Sequence, residues 1–347
     1  MCRARSHAAF CSIVPPNILE SIAENGNATQ KALAFQALNT TARMRGQREV
    51  LTVMAALATT ATGTKRRTVY DAQTKPTLPG KLVRSEGDPK KADTAVNEAY
   101  DGAGKTYDFF SKVYGRNSID DKGMRLDSSV HFRKRYNNAI WNGQQMAYGD
   151  GDGQIFNRFT KSLDVIAHEL THGVTQYEAN LVYEFQPGAL NEHFSDVFGS
   201  LVKQWSKKQT AKKADWLIGE GLFTSNINAT ALRSMKQPGT AYNDPLIGKD
   251  PQPDHMDNFV NTTEDEGGVH INSGIPNKAF YELAVSLGGH AWEKAGRIWY
   301  ITLRDRLLET TEFQECAEMT FQVAQQEFDA TVAAAVKAAW GKVGIKI

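Results

Sequence analysis

The sequence predicts an α+β chain of two lobes. A β-rich N-terminal lobe covers residues 51–160 and a mainly α-helical C-terminal lobe covers 161–347, after a short helical segment over 1–50. Three observations carry this. β-branched runs broken by turn residues dominate the middle of the chain, helical periodicity dominates from Lys161 onward, and the first fifty residues match neither pattern. With 347 residues and 41% hydrophobic content, a globular chain of two domains is expected. The junction between the lobes is the natural place for a cleft and a site.

In chain order, Ile18 to Ile22 and Lys31 to Leu38 read as two short helices, with Asn25–Gly26–Asn27 as the break. Arg43, Arg45 and Arg48 lead into a change of composition. Strand and turn signals follow at Thr68–Val69–Tyr70, Thr77–Leu78–Pro79–Gly80 and Asp150–Gly151–Asp152–Gly153, with one helical stretch, Lys91 to Tyr114, crossing the lobe. Further helices are expected over Asn277 to Leu287, Gly296 to Leu308 and Phe313 to Trp340.

A formal net charge of +1 gives no support to a nucleic-acid partner. No apolar run reaches the length of a bilayer span, so no membrane span is expected. Ala8 to Val14 form a short apolar patch after Arg3 and Arg5, but Pro15–Pro16 end it and no small-residue cleavage site follows. No classical signal peptide is read, which leaves a cytoplasmic location or export by a non-classical route. Cys2, Cys11 and Cys316 form an odd set without metal-type spacing, so no disulfide framework is expected, and Cys316 is read as packed in a C-terminal helix.

The stretch Asp164–Val165–Ile166–Ala167–His168–Glu169–Leu170–Thr171–His172–Gly173 contains H-E-x-x-H with apolar residues at helical intervals. His168 and His172 project from one helix face and can share a metal ion, while Glu169 can reach a water on that ion as general base. Two surface histidines on an ordinary helix are the alternative for this motif alone. A second stretch, Gly188 to Phe198, tips the balance. Glu192 offers a third ligand, and Asp196 and Asn191 offer partners for the outer ring nitrogens of the histidines. Leu190, Phe194, Val197 and Phe198 mark this helix as largely buried, where a carboxylate needs a partner.

Together these stretches resemble the zinc site of the thermolysin-like metallopeptidases. The likeness extends to Asn137–Asn138–Ala139–Ile140–Trp141–Asn142–Gly143, to Met146 through Gln154, to Ala231–Leu232–Arg233–Ser234–Met235 and to Gly267 through Ile275, in the family's order. The resemblance implies zinc-dependent cleavage of peptides and proteins, with one catalytic Zn2+. By the same resemblance, Tyr183 and His270 stabilise the oxyanion and Asp265 orients His270. Glu266 stands where the family usually has Asn and adds negative charge near His270. Asn138 and the Ala139 carbonyl would pair with the substrate backbone. Arg233 would contact a substrate carbonyl, and Phe156, Phe159, Val165 and Leu232 would form an apolar pocket for a bulky residue just after the cleaved bond.

The resemblance also reads residues 1–50 as a short propeptide of the protealysin type, carried on Cys11 through Leu19. It implies an intramolecular inhibitor whose Pro-Pro segment lies near the cleft, removed near Glu49 to Leu51. Asn17 replaces a common aromatic there. Cys11 offers a thiolate to the zinc, with a packed cysteine as the alternative. Of the calcium ligands of secreted relatives, Asp164, Asp215 and Glu220 remain, but Lys203 and Leu217 replace two carboxylates and Thr230 stands for another acid. Calcium is therefore expected to be absent or reduced, with Lys203 pairing with Asp164 or a neighbour. A monomer is expected. Two other classes compete: a non-catalytic zinc domain, against which Glu169, Tyr183 and His270 speak, and another H-E-x-x-H hydrolase. The metzincin extension needs a third histidine where Glu178 stands, so that class fails.

Overall fold

The computed structural model describes residues 11–55 and 64–347, with side chains from 12 to 44 and from 64 onward. One mixed sheet organises the N-terminal half. Its strands are β1 (Cys11–Ser12), β2 (Arg67–Asp71), β3 (Lys81–Ser85), β4 (Leu126–Val130), β5 (Ala139–Trp141) and β6 (Met146–Tyr148), in the spatial order β1-β5-β6-β4-β2-β3. β4 runs parallel to both neighbours, β2 and β6, and the other pairings are antiparallel. One edge strand, β1, comes from the N-terminal segment read as a propeptide, the leader; the other edge is β3.

Two leader helices follow β1: α1 (Pro16–Asn25) and α2 (Ala28–Ala55). Pro16 suits the first turn of α1, where an N–H has no helical partner. Ile18, Leu19 and Ile22 form its buried face. α2 is much longer than the sequence suggests and continues through residue 50, so the expected leader boundary falls inside a helix.

α3 (Thr94–Tyr114) crosses the sheet. Asp93 caps it by accepting from the amides of Ala95 and Val96, and Gly115 closes it at φ 72°. In the C-terminal half, α4 (Leu163–Tyr177) and α5 (Phe185–Lys207) are buried nearly all round, each over its central residues. Gly199 lets them meet, since a Cβ there would stand 2.7 Å from the Asp164 carbonyl oxygen and 3.3 Å from His168 Cβ.

Between α5 and the later helices, residues 209–264 hold two short antiparallel pairs, β7 (Leu217–Ile218) with β8 (Arg233–Ser234) and β9 (Asn243–Asp244) with β10 (Gly248–Lys249), and a 3-10 turn at Met256–Asn258. Two expectations need correction. The segment Phe313 to Trp340 is two helices. After α6 (Asp265–Asn272), α7 (Gly274–Leu287) and α8 (Ala295–Asp305) come α9 (Phe313–Glu327) and α10 (Ala330–Lys342). Phe328 leaves helical geometry at φ −133°, and Asp329 caps α10 through the amides of Thr331 and Val332. α8 also stops at Asp305, three residues short of Leu308. Cys316 is fully buried in α9, as expected. Among the described residues no helix is long and apolar enough to cross a membrane.

Candidate active site

α4 and α5 bring His168, His172 and Glu192 together in the interior, all at most 1% exposed. Their ligand atoms lie within 4.8 Å of one another. His168 Nε2 is 2.9 Å from His172 Nε2, and the Glu192 oxygens lie 3.5 and 3.4 Å from these nitrogens.

The outer ring nitrogens fix which tautomers are present. His168 Nδ1 donates to Asp196 Oδ1 at 2.8 Å, and His172 Nδ1 donates to Asn191 Oδ1 at 2.8 Å. Asn191 Nδ2 in turn donates to the Leu181 carbonyl at 3.2 Å, which sets its amide orientation. With both Nδ1 atoms turned outward, the two Nε2 atoms face each other alongside a carboxylate. Glu192 Oε2 is buried and accepts no hydrogen bond. Two ring nitrogens and a carboxylate oxygen converging in the interior fit a cation. Tetrahedral zinc with arms near 2.0–2.1 Å would separate its ligands by about 3.3 Å, close to the spacing here.

Glu169, on the same helix, accepts from the Trp141 amide of β5 at 2.8 Å through Oε2 and is fully buried. Across the site, the Tyr183 hydroxyl hydrogen-bonds Glu192 Oε1 and lies 3.3 Å from His270 Nε2. His270 is held by Asp265: its Nδ1 lies 2.6 Å from Oδ1, and its amide donates to Oδ2 at 2.7 Å. Burial disfavours a charge on His270, but Glu192 and then Asp265 outweigh it and raise its pKa to about 9. That charge is set chiefly by these two carboxylates rather than by Glu266, the residue singled out in the sequence. The start of α6, which carries Asp265, departs from helical geometry and is tightly wound: Asp265, Glu266, Gly267 and Gly268 all have positive φ, between 52° and 85°.

Asp196 does more than hold His168. It accepts from Arg233 Nε and Nη2, each at 2.8 Å, and from Asn277 Nδ2 at 2.9 Å. Burial opposes its ionisation, yet Arg233 and His168 keep it well below the usual carboxylate range. Behind Asn277 stands His193, whose Nδ1 lies 2.8 Å from Asn277 Oδ1 and whose Nε2 accepts from Trp299 Nε1 at 2.6 Å. Burial pushes His193 down to about 4, so it is neutral and a relay of side chains rather than charges backs the zinc-facing histidine. Asn277, His193, Trp299 and Ser195 (2.9 Å from His172 Nδ1) were not singled out in the sequence. Nothing in their spacing distinguishes them from core residues.

The leader occupies the cleft. β1 pairs antiparallel with β5, Cys11 opposite Trp141 and Ser12 opposite Ile140. The Ile13 amide donates to the Ala139 carbonyl at 3.3 Å and the Val14 amide to Asn138 Oδ1 at 3.0 Å. Arg233 Nη1 donates to the Ile13 carbonyl at 3.2 Å. Asn17 does not leave a gap where an aromatic was expected; its Nδ2 donates to the Tyr242 hydroxyl at 2.9 Å. Phe156, Phe159, Val165 and Leu232 are fully buried and belong to one continuous apolar cluster that includes Ile13. The expected contact from Cys11 to a metal concerns a side chain outside the described residues.

The calcium-related positions are also brought together in part. Lys203 Nζ lies 3.0 Å from Asp164 Oδ2 and donates to Asp215 Oδ1 at 2.7 Å and to the Leu217 carbonyl at 2.6 Å. Burial works against its charge, but Asp164 and Asp215 more than offset it and raise its pKa. Glu220 is exposed and shares only its backbone carbonyl, which accepts from Ser162 Oγ.

Comparison with known proteins agrees with this geometry. The catalytic domain of thermolysin metallopeptidases matches residues 24–176 and their α-helical domain matches residues 179–345. The two matches meet at the end of α4. An extracellular metalloprotease of Pectobacterium carotovorum is 52% identical over 346 residues, covering 97% of each chain. Protease PrtS of a Photorhabdus species is 49% identical over 344 residues, 97% of this chain and 93% of that one. The solved precursor of protealysin, a metalloproteinase from Serratia proteamaculans, superimposes with a TM-score of 0.90 at 52% identity, over 96% of this chain and 99% of that one. The chain therefore belongs to the thermolysin family of zinc metallopeptidases, in its zymogen form.

Proposed function

We propose that this peptidase is an endopeptidase cutting on the N-terminal side of bulky hydrophobic residues, with Glu169 as general base. One observation carries the reading: three ligand atoms converge beside His270 and Tyr183, while Glu169, next to His168 on α4, is hydrogen-bonded to β5, the strand paired with an extended segment. Zinc held by His168, His172 and Glu192 would polarise the scissile carbonyl and acidify a bound water. Glu169 takes that water's proton and delivers it to the leaving nitrogen. Tyr183 and His270 donate to the oxyanion, and Asp265 keeps the His270 ring turned so that Nε2 faces it. Asp196 and Asn191 fix the ligand tautomers.

Asn138 and Ala139 bind the substrate backbone by strand addition, and Arg233 takes the carbonyl of the residue after the cut. The apolar lining of Phe156, Phe159, Val165 and Leu232 supports the specificity. Residues 1–50 form the propeptide, 51–160 the β-rich lobe and 161–347 the helical lobe. The ammonium of Lys203 takes the place of calcium, so the fold is calcium-independent. The enzyme acts as a monomer, outside the cell like the relative named extracellular.

The test compares wild type with Glu169→Ala on peptides carrying Leu, Phe, Gly or Asp after the bond, with and without a zinc chelator. Wild type should cut the Leu and Phe peptides, and Glu169→Ala should lose about 1,000-fold or more. A processed wild-type chain that binds zinc yet leaves every peptide intact would establish a binding-only domain instead.

A further inference from the structure

We infer that the Ser12–Ile13 peptide bond of the leader is a self-cleavage site, cut first and without release of activity. The inference rests on the peptidase reading above and adds a bond to it. Four contacts set the register of the leader over the catalytic groups. The Ser12 carbonyl oxygen lies 3.2 Å from His270 Nε2, the nitrogen that also faces Tyr183. On the other side of the bond, the Ile13 amide donates to the Ala139 carbonyl. The Ile13 carbonyl accepts from Arg233 and the Val14 amide donates to Asn138.

The carbonyl presented to the oxyanion donor is therefore that of Ser12, and the nitrogen leaving it is that of Ile13. Ile13 is fully buried within the apolar cluster that also contains Val165 and Leu232. A β-branched apolar residue thus follows the bond, as the specificity requires. The segment runs antiparallel to β5 with its Ser12 carbonyl turned towards His270.

In the reaction, water adds across the bond. Its oxygen joins the Ser12 carbonyl carbon, the carbon–nitrogen bond breaks, the proton taken by Glu169 passes to the Ile13 nitrogen, and the second water proton, given up by the new Ser12 carboxyl group, makes that amine an ammonium. The products are a Ser12 carboxylate on residues 1–12 and an Ile13 ammonium on the remaining chain.

Cutting this bond does not open the cleft. The C-terminal side of the cut keeps its contacts to Arg233 and Asn138. It is continuous with α1, which is anchored by Asn17 on Tyr242 and by Ser21 Oγ donating to the Leu246 carbonyl at 3.1 Å. Ile18, Leu19 and Ile22 bury the same helix. The nicked leader remains as a tethered product, held at a high effective concentration. Activity appears only when the rest of the leader is removed.

The experiment follows the full-length chain after zinc addition by intact mass and N-terminal sequencing. A species beginning at Ile13 should form at a rate independent of chain concentration, before any species lacking about fifty residues, and should not cut an added Leu peptide. It should be absent in Glu169→Ala and about 100-fold slower in Ile13→Gly, which empties the apolar pocket. Amide hydrogen exchange on zinc-free Glu169→Ala gives a readout without catalysis: the Ile13 and Val14 amides should be protected. Unprotected amides there reject the register. A chain that loses its leader and cuts the Leu peptide, yet never yields an Ile13 terminus, overturns the nick and leaves the peptidase reading standing. A zinc-loaded chain that cuts neither overturns both.

Discussion

Two buried charged clusters sit on the same pair of helices and solve opposite problems. Around His168, His172 and Glu192, the two Nδ1 donors point outward to Asp196 and Asn191 and Tyr183 meets Glu192 Oε1 from one side, which leaves the two Nε2 atoms and Glu192 Oε2 facing the centre. Around Asp164 and Asp215, the cation is part of the chain, since the Lys203 ammonium already meets both carboxylates and a backbone carbonyl. The first cluster is incomplete without an ion and the second is complete as folded. Composition does not separate them: what counts is whether the centre is occupied by a donor. A buried carboxylate facing other acceptors signals a ligand, whereas one facing an ammonium signals structure.

Breaking the first cluster should give the largest effect. Glu192→Gln should abolish stoichiometric zinc by metal analysis and cut kcat/KM by about 1,000-fold or more, while the fold survives, because the amide keeps the side chain's shape and an oxygen for the Tyr183 hydroxyl. Breaking the second should cost stability instead. Lys203→Met leaves the buried Asp164 without its cation and Asp215 with only the more distant Lys207, 4.0 Å away, and urea unfolding should show a loss of about 3 kcal/mol with zinc still bound. Lys203→Glu sharpens the contrast: millimolar calcium should restore stability to that variant and leave wild type unmoved. If calcium stabilises wild type equally, the assignment of Lys203 fails.

Smaller changes probe the supports. Asn277→Ala removes one of the donors to Asp196 and uncouples His193 from it, so zinc affinity in chelator competition should fall about 10-fold or more. The smallest effect is pH-dependent and lies far from both clusters. His131 hydrogen-bonds Asp150 and Asp93, which together overcome burial and raise it to about 9. Its folded pKa exceeds the unfolded value, so this stabilisation is complete below about pH 6.5 and disappears as pH rises through 9. Because both partners are well exposed, about 1–2 kcal/mol is expected, read as the difference between wild type and His131→Asn across that range.

The ligand helices were legible in the sequence because their chemistry is local. His168, Glu169 and His172 share one helix, and Glu192, Asn191 and Asp196 another, so spacing fixes which side chains can meet. His270 and Asp265 were reachable only through resemblance, since the loop joining them depends on four consecutive residues with positive φ, two of them not glycine. Glu266 tolerates φ 52° at a cost that Asn or Gly would reduce. β1 was not visible at all: two residues carry no periodicity, and Cys11–Ser12 is a strand only because β5 lies beside it. The break at Phe328 was misread for a different reason. Apolar periodicity continues through it, and only Asp329 as a cap marks the stop.

β1 also has a consequence for the mature enzyme as a material. While the leader is present, β5 is an interior strand; once the leader leaves, β5 becomes a sheet margin with exposed amides and carbonyls. Such a margin accepts any extended chain, including one from a neighbouring molecule. The leader thus shields the growing protein from pairing with its own copies. Mature enzyme stored without substrate should self-associate more readily than the precursor at equal concentration, and an extended peptide bound along β5 should keep it dispersed.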